Sequence, residues 1–193
     1  MLGEAVMPRP WSAPLALLIL PGNCGPVSAW MVLRRFRKRV ASARIIDVCR
    51  YYPAVGCYAI GLAVGLRELG LHTVFCTDHD PSPARREEDL YKRAHRLGIP
   101  IRPAIDLRDV RQLLKENAII AAFAETGGVG HLSPLTGVNW GRVILPYSER
   151  GYLSLEEFEK SWSAPDHARQ CVLVRRLGPG KASGREWESD VRN

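Results

Sequence analysis

The pattern of apolar positions divides the chain into a helix-rich first half and a strand-rich second half. From residue 24 to about 38, Ala29, Val32, Leu33 and Phe36 recur at i, i+3, i+4 and i+7, the spacing of one helix face. Val27, Trp30 and Met31 add apolar surface on another side. This helix is therefore expected to be buried at the centre of the domain, with only its cationic end reaching water. Residues 41–50 read as a short second helix. Residues 55–69 read as a third, with Tyr58, Leu62, Leu66 and Leu69 on one stripe and Gly70 as its cap. A strand over 71–77 and a loop over 78–83 follow. Ser82-Pro83 then opens a helix that carries Glu87, Glu88 and Asp89 early and ends at Gly98.

Beyond this point the periodic segments shorten. Residues 99–105 are extended but broken by prolines, which fits an edge strand. Asp106 is placed to cap a helix ending near Glu116. The continuous apolar run 118–124 predicts a strand, and 126–130 a glycine-rich loop. Residues 132–138 and 142–145 predict a hairpin across Asn139-Trp140-Gly141. Ser154-x-x-Glu157 is a capping box opening a helix to about Trp162, and 170–175 reads as a last strand. Helices first and strands afterwards define an α+β class.

The 193 residues suit one domain, over 15–176, with an arm at 1–14 and a tail at 177–193. Glycine, serine and charge dominate the tail and predict disorder there. Residues 15–20 are apolar and read as a lead-in strand or arm. They make a short h-region with no small-x-small site after it, so a signal peptide is not expected. No stretch is long enough to span a membrane, and a cytoplasmic location is expected.

The formal net charge is +7, and much of the excess lies in Arg34, Arg35, Arg37, Lys38 and Arg39. Cations there suit the negative end of a helix dipole. No nucleic-acid motif or aromatic ladder accompanies the run, so nucleic acid is not an expected partner. The five cysteines, Cys24, Cys49, Cys57, Cys76 and Cys171, form no CxxC pair, and scattered single cysteines fit a reducing compartment. Thr77-Asp78-His79-Asp80 offers three adjacent metal-ligand types. Consecutive residues rarely converge on one ion, so neither a metal nor another cofactor is expected.

Two segments carry candidate chemistry. Asn23-Cys24-Gly25-Pro26 opens the central helix, where the helix amino end lowers a thiol's pKa. Gly25 lets backbone and substrate approach closely, and Pro26 lies where first-turn N–H groups have no helical partner. Gly128-Val129-Gly130-His131 opens a strand, which can hold an imidazole against the helix end. A nucleophile on a helix and a base on a strand is the arrangement that thiol acyl transfer needs. Cys49, Cys57, Cys76 and Cys171 lie in periodic segments and read as buried core thiols.

The run from Asn23 to Leu33 resembles the nucleophile helix of C39-type peptidases, which clip leader peptides and belong to the papain-like superfamily. His131, the strand after it, Gly137 and the hairpin resemble that family's histidine segment, and residues 62–70 with the following strand resemble its middle region. Gly130-His131-Leu132-Ser133-Pro134 is also similar to a segment of phytochelatin synthases, which share the fold and transfer a peptidyl group. The resemblance implies a papain-like domain whose central nucleophile helix packs on an antiparallel sheet. Cys24 and His131 become the catalytic pair, and the substrate a peptide or small amide. Two positions depart from the family. No glutamine precedes the cysteine to donate to the oxyanion, which leaves the Cys24 N–H and the Asn23 side chain. Leu145 stands before Pro146 where the family places the aspartate that orients the histidine, which leaves Asn139, Ser148 or Glu149 as substitutes. These departures keep a second expectation open, a papain-like binding module without turnover.

Overall fold

A computed structural model describes residues 7–78, 83–125, 128–164 and 168–175. The helical half holds α1 (Leu15–Leu18), α2 (Cys24–Arg35), α3 (Ser42–Val48) and α4 (Ala59–Glu68). Then come β1 (His72–Thr77), α5 (Arg85–Arg96), β2 (Ile101–Pro103) and α6 (Leu107–Leu113). The second half holds β3 (Ala118–Ala124), β4 (Gly130–Leu135), β5 (Gly137–Asn139), β6 (Arg142–Ile144), β7 (Tyr152–Ser154), α7 (Leu155–Trp162) and β8 (Gln170–Arg175).

Five strands form one sheet in the order β2-β1-β8-β3-β4, antiparallel except for the β1–β2 pair at one edge. β5, β6 and β7 form a second antiparallel sheet. The continuous apolar run of β3 follows from burial on both faces. Ala118 and Ile120 join Val27, Met31, Leu62 and Leu66 in a core between the sheet and the helices of the first half. Ile119, Ala121 and Phe123 point the other way, into a core with Phe158, Trp162 and Val143. The alternation of β3 thus serves two cores, and the class is α+β with α2 packed on the sheet at β4.

Several boundaries differ from the sequence expectation for local reasons. Residues 15–20 are not a strand. Pro14 leads into the short α1, whose Leu17 is buried while its Leu15 and the following Ile19 face water. α2 stops at Arg35 because Arg37 adopts a left-handed φ of 57°, and the Lys38 N–H reaches back to the Leu33 carbonyl. α4 starts at Ala59 because the chain from Tyr52 to Gly56 closes into a tight bridge. Ser82 lies outside the described residues; the residue that leads into α5 is Ala84, which gives no side-chain cap. Asp106 leads into α6 without capping it and pairs with Arg108 instead.

The expected strand 132–138 is divided at Thr136. Leu135 pairs with Ile119 in the large sheet, while Gly137 pairs with Ile144 in the small one. The hairpin itself turns through Trp140 (φ 51°) and Gly141 (φ 71°), two left-handed residues whose twist matches a two-residue antiparallel turn. Ser154 and Glu157 form the capping box of α7 with both reciprocal hydrogen bonds in place. The expected tail lies outside the described residues. Among the described residues no helix is long and apolar enough to cross a membrane.

Candidate active site

α2 begins at Cys24, with Asn23 just before it and Gly25 and Pro26 in its first turn. β4 is the free edge of the large sheet, and His131 stands near its start, opposite Phe123 on β3. Helix and strand are fastened by a buried hydrogen bond from Ser28 Oγ to the Leu132 carbonyl, 3.0 Å long. This bond sets the amino end of α2 beside the start of β4. Cys24 and His131 consequently line one cleft of about 310 Å³, with Cys57, Tyr58, Ala122 and Gln170 among its other walls.

The Cys24 thiol lies against the main chain of Leu132, the residue after His131. Burial is the largest influence on it and pushes its pKa up. Hydrogen bonds from the main chain at Leu132, Gly25 and Cys24 itself pull the other way, and the Glu125 carboxylate pushes up again. The expected lowering by the helix end is present but is outweighed.

The His131 ring is held at one nitrogen and faces a carboxylate at the other. Its Nε2 meets the main-chain carbonyl of Tyr147. A carbonyl oxygen only accepts, so Nε2 carries the hydrogen and, in the neutral ring, Nδ1 is the basic nitrogen. Nδ1 stands 3.6 Å from Glu125 Oε2. Phe123 meets the ring edge-on at 5.5 Å between centroids. The Tyr147 loop is fixed in turn: its N–H donates to Ser133 Oγ at 3.1 Å and its hydroxyl donates to Asn23 Oδ1 at 2.6 Å.

The residues considered for support fall in different places. Asn23 Nδ2 donates to the Leu18 carbonyl at 2.7 Å, which ties its amide to α1. Asn139 lies at the far end of β5, on a depression it shares with Arg111 and Trp140 rather than on the cleft of Cys24. Glu149 takes part through its main chain, whose N–H donates to Glu125 Oε1 at 3.1 Å. Ser148 Oγ donates to the Leu145 carbonyl. Leu145 itself is buried in the second core. Glu125 and Tyr147 were not singled out from the sequence. The one signal for Tyr147 was its place directly after Pro146, and its contribution is a carbonyl that any residue there would carry. Of the Thr77–Asp80 stretch, Asp78 pairs with Arg169 at 3.4 Å, and residues 79 and 80 lie outside the described residues. No group of three metal-ligand side chains occurs among the described residues.

No protein-family model matches the chain, and no curated protein sequence matches it. Solved structures do. The peptidase domain of Streptococcus ComA, a bi-functional ABC transporter involved in a quorum-sensing pathway, is 13% identical. The match covers 80% of this chain and 91% of that one, with a TM-score of 0.52. A double glycine motif protease from an AMS/PCAT transporter, solved with its leader peptide, is 18% identical. That match covers 80% of this chain and 84% of the other, with a TM-score of 0.48. The chain thus has the papain-like fold of C39-type peptidase domains.

Proposed function

We propose that this protein is a thiol hydrolase or acyltransferase acting on a peptide or amide bond, with Cys24 as nucleophile and His131 as base. One observation carries the reading: Cys24 and His131 line the same cleft, with the imidazole held at Nε2 by the Tyr147 carbonyl. His131 Nδ1 takes the thiol proton as sulfur attacks the carbonyl carbon. The imidazolium so formed lies beside the Glu125 carboxylate. It then returns the proton to the leaving amine, and water or a second amine releases the acyl group from sulfur.

The oxyanion faces the amino end of α2, where first-turn N–H groups have no acceptor within the helix. Asn23 is held toward Leu18, so stabilisation there rests on the main chain. Loss of one side-chain donor lowers turnover by about 10²–10³-fold. This position also supports the second reading, a peptide-binding module of the same fold without turnover.

The test combines labelling and turnover. Iodoacetamide is expected to modify Cys24 first among the five cysteines, and His131→Ala is expected to slow that modification. A fluorogenic peptide library is expected to be cleaved by the wild type and by neither Cys24→Ala nor His131→Ala. Equal labelling of all five cysteines in the folded protein, or sparing of Cys24, rules the reading out. Peptides retained by the wild type and released uncleaved select the binding module.

A further inference from the structure

Cys57 was expected to be a core thiol of a helix. The structure places it before α4, at the end of a loop that lies against the turn leading to Cys24. Three contacts fix this approach. Tyr51 Oη donates to the Pro21 carbonyl. Gly56 packs on Gly22 so closely that a Cβ on Gly56 would stand 3.0 Å from the Gly22 carbonyl oxygen. Cys57 fills the space over Gly25, where an added Cβ would lie 2.6 Å from Cys57 Cβ and 2.7 Å from its Sγ. The Cys57 side chain thus occupies the place of a side chain on the residue next to Cys24, and both thiols line the cleft.

We propose that Cys24 and Cys57 form a reversible disulfide when a hydroperoxide enters the cleft, with Cys57 as the resolving thiol of Cys24. The proposal rests on Cys24 being the reactive thiol assigned above, though not on any turnover. In the first step the Cys24 thiolate attacks one oxygen of hydrogen peroxide. The O–O bond breaks, an S–O bond forms, and the departing hydroxide takes up a proton to become water. Cys24 is oxidised by two electrons to the sulfenic acid. In the second step Cys57 sulfur attacks Cys24 sulfur, the S–S bond forms, the S–O bond breaks, and the hydroxyl leaves as water with the Cys57 proton.

The order of events follows from the surroundings of the two thiols. Burial raises both; at Cys24 the Glu125 carboxylate adds to it but main-chain hydrogen bonds oppose it, whereas at Cys57 burial and the charges of Cys49 and Cys24 all act upward. Cys24 therefore holds the larger thiolate fraction and reacts with the oxidant first. Cys49, Cys76 and Cys171 are sealed in the cores, out of reach of the oxidant. Cys57 belongs to a loop rather than a helix and lies over Gly25, the residue next to Cys24, and a disulfide needs its Cα atoms about 4.4–6.8 Å apart.

The test uses the full chain treated with a few equivalents of hydrogen peroxide, quenched with N-ethylmaleimide, digested and mapped by mass spectrometry. The expected product is a Cys24–Cys57 peptide pair lacking two hydrogen masses, which dithiothreitol splits. Iodoacetamide labelling of Cys24 is lost on oxidation and restored by the reductant. In Cys57→Ser, Cys24 is trapped by dimedone and proceeds to the irreversible sulfinic acid. A wild type in which Cys24 becomes sulfinic while Cys57 stays a free thiol overturns the proposal. So does an untouched Cys24, or a disulfide joining Cys76 to Cys171 alone. The mapping needs no substrate, so a protein that forms the pair but cleaves no peptide loses only the enzymatic reading. A protein that cleaves peptides but never forms the pair loses only this one.

Discussion

At Cys24 effects of opposite sign meet: burial and the Glu125 carboxylate disfavour the thiolate, while main-chain hydrogen bonds at Leu132 and at the helix start favour it, and burial is the largest. At His72 on β1 no effect opposes burial. Burial first, and then the charges of Arg175 and Arg67, hold its imidazole down at about 4 from an ordinary 6.5. The folded chain binds this proton more weakly than the unfolded chain does. The stability this gives is fully present above pH 6.5 and is lost as pH falls toward 4. Thermal melts are expected to show Tm declining across that window, with a shallower decline in His72→Gln. An identical slope in the variant would assign the acid sensitivity elsewhere. The sign of the Cys24 shift was not readable from the sequence. A helix end is visible as a motif, but the depth of burial depends on β4, whose strand lies more than a hundred residues away.

Among the elements, closeness of approach explains more than propensity. Gly65 faces α3 from within α4, where a Cβ would stand 2.6 Å from the Val48 carbonyl oxygen and 2.8 Å from its carbon. Alanine is intrinsically the better helix former by about 1 kcal/mol. The obstacle is backbone, however, and overpacking of this kind costs about 1–3 kcal/mol. Gly65→Ala is therefore expected to lower the urea midpoint, with a net loss of up to about 2 kcal/mol. A variant as stable as wild type would show α3 free to move off α4. The elements that could be read from sequence were those with a self-contained signal: α2 by its apolar spacing, α7 by its capping box, β3 and β8 by their short apolar runs. The errors came where the partner decides. Nothing local shows that Leu135 pairs in one sheet and Gly137 in another, or that Arg37 takes a left-handed conformation and ends α2.

In the whole molecule the two parts of the cleft come from opposite halves of the chain, joined by Ser28 and Leu132 across 104 residues. That Cys24 stands at a helix start and His131 near a strand start could be read from their motifs, because such starts leave local traces. Glu125 and the Tyr147 carbonyl left none, since their roles arise only when β3, β4 and the 145–149 loop are folded together. Ser28→Ala removes the buried tie between the halves. It is expected to lower stability by about 1 kcal/mol, the usual net value of such a bond. It is also expected to change the rate at which iodoacetamide reaches Cys24, because helix and strand are no longer pinned. A stability loss with an unchanged labelling rate would show that other contacts alone hold the cleft in register.

The acceptor at the far nitrogen of His131 has a genetic consequence. A carbonyl belongs to the chain rather than to any side chain, so no exchange of amino acid at position 147 deletes it. A mutational survey of the cleft reads side chains and so passes over this contact. The sequences of related proteins could then vary at that position while the imidazole kept the same grip.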